Sequence, residues 1–188
     1  MNPLTQFKRI LTLPLPIPLA LLALAAWIVV PALATPPCCV TTDIIAIGRF
    51  AEDIDASAKT QIGNDEFWRA RIDTRHASDL HVLQNTIAPG GNFGWHSHPG
   101  PSLVIVKSGT ATFYLADDPT CTPHVVPAGS GFVDQGHDTH IVKNESQTEP
   151  LVTVVVSLIP AGFQRRIDEP DPGNCPPLPP CPSPCPAF

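Results

Sequence analysis

The stretch Gly90-Gly91-Asn92-Phe93-Gly94-Trp95-His96-Ser97-His98-Pro99-Gly100 decides how the rest of the chain is read. Its two histidines lie one residue apart. On a β-strand, side chains at i and i+2 leave the same face of the sheet, so His96 and His98 would point together. If that face lines a small barrel, both imidazoles meet in a walled pocket that limits water, the setting a reactive metal needs. Read locally, the pair is equally a polar loop beside a glycine turn. The residues around it separate the two readings.

Gly90 stands five residues before His96, and Gly109 follows the apolar run Leu103-Val104-Ile105-Val106 at a turn. This spacing resembles the first motif of the cupin superfamily, which runs glycine, His-x-His, glutamate, glycine. The glutamate is missing: its position holds Ser102, and no Asp or Glu occurs from Trp95 to Ala116. The second cupin motif can be laid on Gly129, His140 and Asn144 without a gap. Gln135 replaces its proline and His137 its second glycine, so the turn there must use another residue, with Gly136 one place earlier.

The resemblance covers Gly90 to Asn144 and implies an all-β fold, a single cupin barrel or jelly roll of six to ten antiparallel strands. It implies a metal held by His96, His98 and His140. Asn144 would fix backbone at a strand end, although Asn144-Glu145-Ser146 also fits a glycosylation acceptor. His137 reads either as a loop histidine at the pocket mouth or as a fourth ligand. Asp134 and Asp138 read either as solvated turn residues or as a substitute carboxylate beside the metal. Ser102, Trp95 and Phe113 are expected around the pocket, with Trp95 alternatively on the outer face of its strand.

Three histidines without a carboxylate leave the full charge of the ion in place, whereas two histidines with a carboxylate neutralise part of it. Such a site favours an anionic or enolisable substrate, or a metal hydroxide. Cupins of this type include iron dioxygenases. The expected cofactor is a divalent transition metal, iron first, with manganese, zinc, copper or nickel as alternatives.

The chain has 188 residues, with 24 prolines and six cysteines, enough for one domain with a sizeable core. Lys8 and Arg9 precede an uncharged run, residues 10–33, that ends in the small-x-small pattern Ala32-Leu33-Ala34. Its uninterrupted apolar core, Leu19 to Val30, is short for a bilayer span. The expectation is a signal peptide cut after Ala34, delivering a secreted or periplasmic protein; the alternative is a membrane anchor over 10–33. Cutting there removes two cations and no acid, so the formal charge moves from −6 to −8. Such an acidic chain without a basic stripe argues against nucleic acid as a partner. A membrane is a partner only if the segment stays uncleaved.

All six cysteines, Cys38, Cys39, Cys121, Cys175, Cys181 and Cys185, lie beyond the cut and read as disulfides in unresolved pairings. Cys121 is expected to staple its loop to the tail or to Cys38 or Cys39. The regions are 1–34 as signal or anchor, 35–66 as N-terminal extension, 67–162 as barrel, and 163–188 as a Pro/Cys-rich tail. That tail forms no core and should be disordered unless its cysteines hold it.

Asp43 to Phe50, Glu66 to Thr74 and Leu80 to Ala88 read as strands. In the second, Trp68, Ala70 and Ile72 share one face, the pattern of a half-buried strand. Residues 51–59 read as a short helix. Gly109 to Leu115 reads as the return of a hairpin, and Leu151 to Ile159 as a central buried strand. No phosphate-binding loop or serine-nucleophile elbow is present. The leading function is a metal-dependent oxidoreductase of the oxygenase type, such as a dioxygenase, acting on a small polar molecule. The alternatives are a non-catalytic module that binds a small ligand, and a structural barrel with unused histidines. A homodimer is expected from cupin habit.

Overall fold

The computed structural model describes residues 33–186, and every described regular element is a β-strand. The signal or anchor expected over 1–34 falls outside the described residues except for Leu33 and Ala34. In chain order the strands are β1 (Cys38–Phe50), β2 (Asp55–Gln61), β3 (Phe67–Asp73), β4 (Ser78–Asn92), β5 (His96–Ser97) and β6 (Ser102–Ser108). Then come β7 (Thr110–Leu115), β8 (His124–Pro127), β9 (Gly131–Asp134), β10 (His140–Lys143), β11 (Leu151–Pro160) and β12 (Ile167–Asp168).

Ten strands form one antiparallel sheet that curls into a nearly closed barrel with two facing walls. One wall runs β1-β4-β11-β6-β9; the other runs β12-β5-β10-β7-β8. They join where Asn92 of β4 pairs with Lys143 of β10. The fold is the all-β cupin barrel that the resemblance implied.

Alternation builds the core. β11 lies between β4 and β6, and Leu151, Thr153, Val155, Ser157 and Ile159 turn inward while their neighbours are half-buried. Its register sets Leu151 opposite Ile87 and Val155 opposite Leu83. Ile87, Val106, Ala111, Val142 and Leu151 close one end of the interior. Burying a side chain of this size stabilises the fold by roughly 1.5–3 kcal/mol. The stretch set apart as an N-terminal extension supplies β1, paired along β4 from Asn92 to Ser78. Arg49 and Asp79 fix this pairing with two 2.8 Å hydrogen bonds, and the guanidinium holds the Asp79 carboxyl well below the usual carboxylate range.

Three local expectations need correction. Residues 51–59 are not helical: Asp55–Gln61 forms β2, paired with β3 in a separate two-stranded sheet. A nine-residue helix is marginal alone, and the free edge of β3 offers a full hydrogen-bond ladder instead. The β3 strand exists, but every residue in it is exposed, Trp68 at 53%, because among the described residues nothing covers the hairpin's apolar face. Gly109 to Leu115 does not return beside β6. Gly109 has φ +76 and sits where a Cβ would meet the Pro150 carbonyl oxygen, and the chain there crosses to the other wall, where β7 pairs with β10 and β8.

All six cysteines are paired, as Cys38–Cys181, Cys39–Cys185 and Cys121–Cys175. Three bridges suit an oxidising compartment. They also hold the tail against the barrel, where Cys175 and Leu178 pack on Trp95, Tyr114 and Ile141. By loop-closure entropy a bridge such as Cys121–Cys175 contributes on the order of 4 kcal/mol.

Candidate metal centre

His96 lies in β5 and pairs with His140 of β10, so the two short strands bring both rings to the same level of the barrel. His98 follows two residues after His96 on the same face. The three rings cluster with centroids 4.3–5.6 Å apart, and one ring nitrogen from each lies within 4.8 Å of the others. All three are buried.

The backbone sets their orientation. The Nδ1–H of His96 donates to the Gly94 carbonyl at 3.0 Å, that of His98 to the Arg165 carbonyl at 2.6 Å, and that of His140 to the Asp138 carbonyl at 3.0 Å. A carbonyl only accepts, so each Nδ1 carries the proton and each Nε2 keeps a free lone pair. Burial pushes His96 well below the usual imidazole range, with His140 and Arg166 adding to the shift. Burial likewise takes His98 down to about 4. Both rings are therefore neutral at pH 7, the form that ligates.

Asp134, at the end of β9, places a carboxylate beside His98. One of its oxygens accepts from the Gly136 N–H at 2.9 Å; the other, Oδ2, is buried without a hydrogen-bond partner and lies 3.5 Å from His98 Nε2. Two lone pairs thus face each other in a dry setting. That arrangement is unfavourable unless a cation lies between them. Three imidazole nitrogens are a donor set that suits a divalent transition metal, with the Asp134 carboxylate beside them.

The cavity beside the triad has a volume of about 40 Å³. Phe93, Val104, Phe132, Val142 and Val155 form its apolar wall, and Asn85, Ser102, Thr153, Asp134, Arg165 and Arg166 its polar positions. Ser102 does not reach out as a glutamate would. Its hydroxyl shares a 2.8 Å hydrogen bond with that of Ser157.

The remaining expected residues separate. His137 is exposed, and its ring is not among the clustered three. It contributes through backbone: with φ 59 it occupies the left-handed position of the motif's missing glycine, and its N–H donates to the His98 carbonyl. Gly136 makes the turn, with φ +80 and the Gly100 backbone where a Cβ would stand. Asp138 serves through backbone: its carbonyl accepts from His140 and its N–H donates to the Gly136 carbonyl at 2.7 Å. Trp95 is 1% exposed and faces away from the cavity, packed under the tail. Phe113 is not in the histidine cavity; it stacks between His124 and Phe132, each 4.7 Å away, and lines an adjoining cavity of about 230 Å³ that His140 and Asp134 also touch. Asn144 fixes backbone: its amide donates to the carbonyls of Ile87, Ala88 and Glu149 at 2.8–3.1 Å, and its buried side chain cannot present itself for glycosylation.

Arg165 and Arg166 line the cavity without any strand pattern to announce them. The only sequence signal was two adjacent arginines shortly after the last long strand.

Residues 84–157 match the family described as the cupin domain. Among solved structures, a cupin superfamily protein of Desulfitobacterium hafniense is similar at 14% identity, over 57% of this chain and 80% of its own, with a TM-score of 0.38. A cupin-like protein of Thermotoga maritima is similar at 21% identity, over 49% of this chain and 65% of its own, with a TM-score of 0.42. An oxalate oxidase solved in complex with the substrate analogue glycolate is similar at 24% identity, but only 41% of its length is covered, and 42% of this chain, with a TM-score of 0.37. No curated protein matches the sequence.

Proposed function

We propose that this chain, which belongs to the cupin superfamily, is a metal-dependent oxidoreductase of the oxygenase type that works outside the cytoplasm on a small polar molecule. One observation carries the reading: three buried imidazoles, each held by a backbone carbonyl, bring ring nitrogens within 4.8 Å of one another beside an unpartnered carboxylate oxygen. His96, His98 and His140 would hold the metal, with Asp134 as fourth donor or proton acceptor. A divalent ion there, iron first, would supply open positions at which oxygen and substrate meet.

The chain's own groups do the rest. The apolar wall excludes bulk water, which strengthens every electrostatic interaction inside. Asn85 is already satisfied, accepting from Thr42 and donating to Thr153, and Ser102 is satisfied by Ser157. These groups shape the floor and leave Asp134 Oδ2 as the unpartnered carboxylate oxygen. The three disulfides and the small-x-small site at Ala34 support an extracytoplasmic setting.

The test is oxygen uptake by iron-loaded protein across a panel of small polar molecules, beside chelator-treated protein. Uptake that needs both the metal and one class of molecule supports the reading. Tight ligand binding without oxygen uptake contradicts it and favours a non-catalytic binding module.

A further inference from the structure

After β11 the chain turns through Ala161 and Gly162 and comes back to lay β12 along β5, with Ile167 opposite Ser97 and Asp168 opposite His96. This return is fixed at several points. The Arg165 carbonyl accepts from His98, and Ser97 donates to the Glu169 carboxylate at 2.8 Å. Two consecutive arginines are thereby carried to the cavity that holds the histidines.

Neither guanidinium is fully used. Arg166 donates through Nε to Asp168 at 2.6 Å and through Nη2 to the Phe93 carbonyl at 2.5 Å, while Nη1 is buried without a partner. Arg165 makes no side-chain hydrogen bond and no ion pair among the described residues, although Asp134 lies near enough to favour its charge. Burial works against both charges, and for Arg165 the neighbouring Arg166 does too. Arginine nevertheless stays charged at any ordinary pH.

We propose that Arg165 and Arg166 form an anion subsite that selects a small carboxylate as the ligand of this cavity, bound with its carboxylate on the fork of Arg165 and the unpartnered Nη1 of Arg166 and the rest of the molecule toward the three histidines. The inference rests on the metal reading for the second half of that orientation only. The two guanidiniums are balanced by Asp134 and Asp168, so a divalent ion at the histidines would leave the pocket positive and a bound anion would offset part of that charge. The planar fork matches a carboxylate with two parallel hydrogen bonds. A volume of about 40 Å³ admits only a few heavy atoms, the room of about three waters. The apolar wall suits a short carbon skeleton better than an inorganic oxyanion.

Arg165 is the residue to change, because its side chain holds no backbone and Arg165→Gln keeps the carbonyl that orients His98. Acetate is the probe, with acetamide as a neutral molecule of the same size, titrated by NMR into zinc-loaded and chelator-treated protein. Acetate should bind at least tenfold more tightly than acetamide, and more tightly with zinc than without. Arg165→Gln should weaken acetate about tenfold in both states at unchanged zinc stoichiometry, with Arg165→Lys intermediate because it keeps the charge and loses the fork. Equal binding of acetate and acetamide, or an Arg165→Gln variant that binds like wild type, overturns the inference. Phosphate that displaces acetate at equal concentration overturns the choice of a carboxylate. Wild-type protein that takes up no zinc yet binds acetate through Arg165 supports the inference and contradicts the metal reading.

Discussion

The wall that holds His96 and the hairpin of β2 and β3 are the two extremes of this molecule. Around His96, segments far apart in the chain meet: Thr35 accepts the Trp95 N–H at 2.6 Å, Glu169 donates its N–H to the Trp95 carbonyl, and β10 pairs from the other side. Among the described residues the hairpin pairs only within itself, and its apolar side chains Trp68 and Ile72 are about half exposed. Both regions carry period-two sequence. The difference is what lies against the face, and that comes from non-local chain which periodicity does not report.

This contrast predicts where the molecule is brittle. The largest effect is expected at Gly94, whose φ is +66 and whose missing Cβ leaves room for the Thr35 and Pro36 carbonyls. Gly94→Ala should cost about 4 kcal/mol or prevent folding. Denaturant unfolding measures it, and a loss under 1 kcal/mol would mean that the wall yields easily. Next is Asn144, whose buried amide ties Ile87 and Ala88 of β4 to Glu149 just before β11. Asn144→Ala should cost roughly 3 kcal/mol by the same measurement. At the other extreme, Trp68→Ser should change stability by no more than about 0.5 kcal/mol. A large loss there would show that the hairpin's apolar face is covered in solution.

The resemblance to the two cupin motifs singled out His96, His98, His140 and Asn144, and the structure brings the three histidines together. Gly136 was legible as the turn, since only a residue tolerant of positive φ can pass the Gly100 backbone. His137 then accepts a left-handed conformation in the place of a glycine, as histidine can. Asp134 stood two residues before that turn and could be named only as one of two candidates, because its role depends on which oxygen stays unpaired.

Arg165 and Arg166 were not legible as site residues. They reach the cavity through the pairing of β12 with β5, a contact between residues about 70 apart in sequence that no local pattern encodes. The crossing at Gly109 was missed for a related reason: a glycine turn between two strands reads as a hairpin unless the position of the Pro150 backbone is known. The tail was held by its cysteines, the one condition under which order was expected of it.

The central claim is that the three Nε2 lone pairs hold a metal, and elemental analysis of the purified protein beside His140→Ala tests it most directly. Close to one transition-metal ion per chain in wild type, and a near-complete loss in a variant that keeps its β-sheet circular dichroism, is the expected result. Metal-free wild-type protein after growth with iron, manganese and zinc, or equal metal in both proteins, would contradict the account.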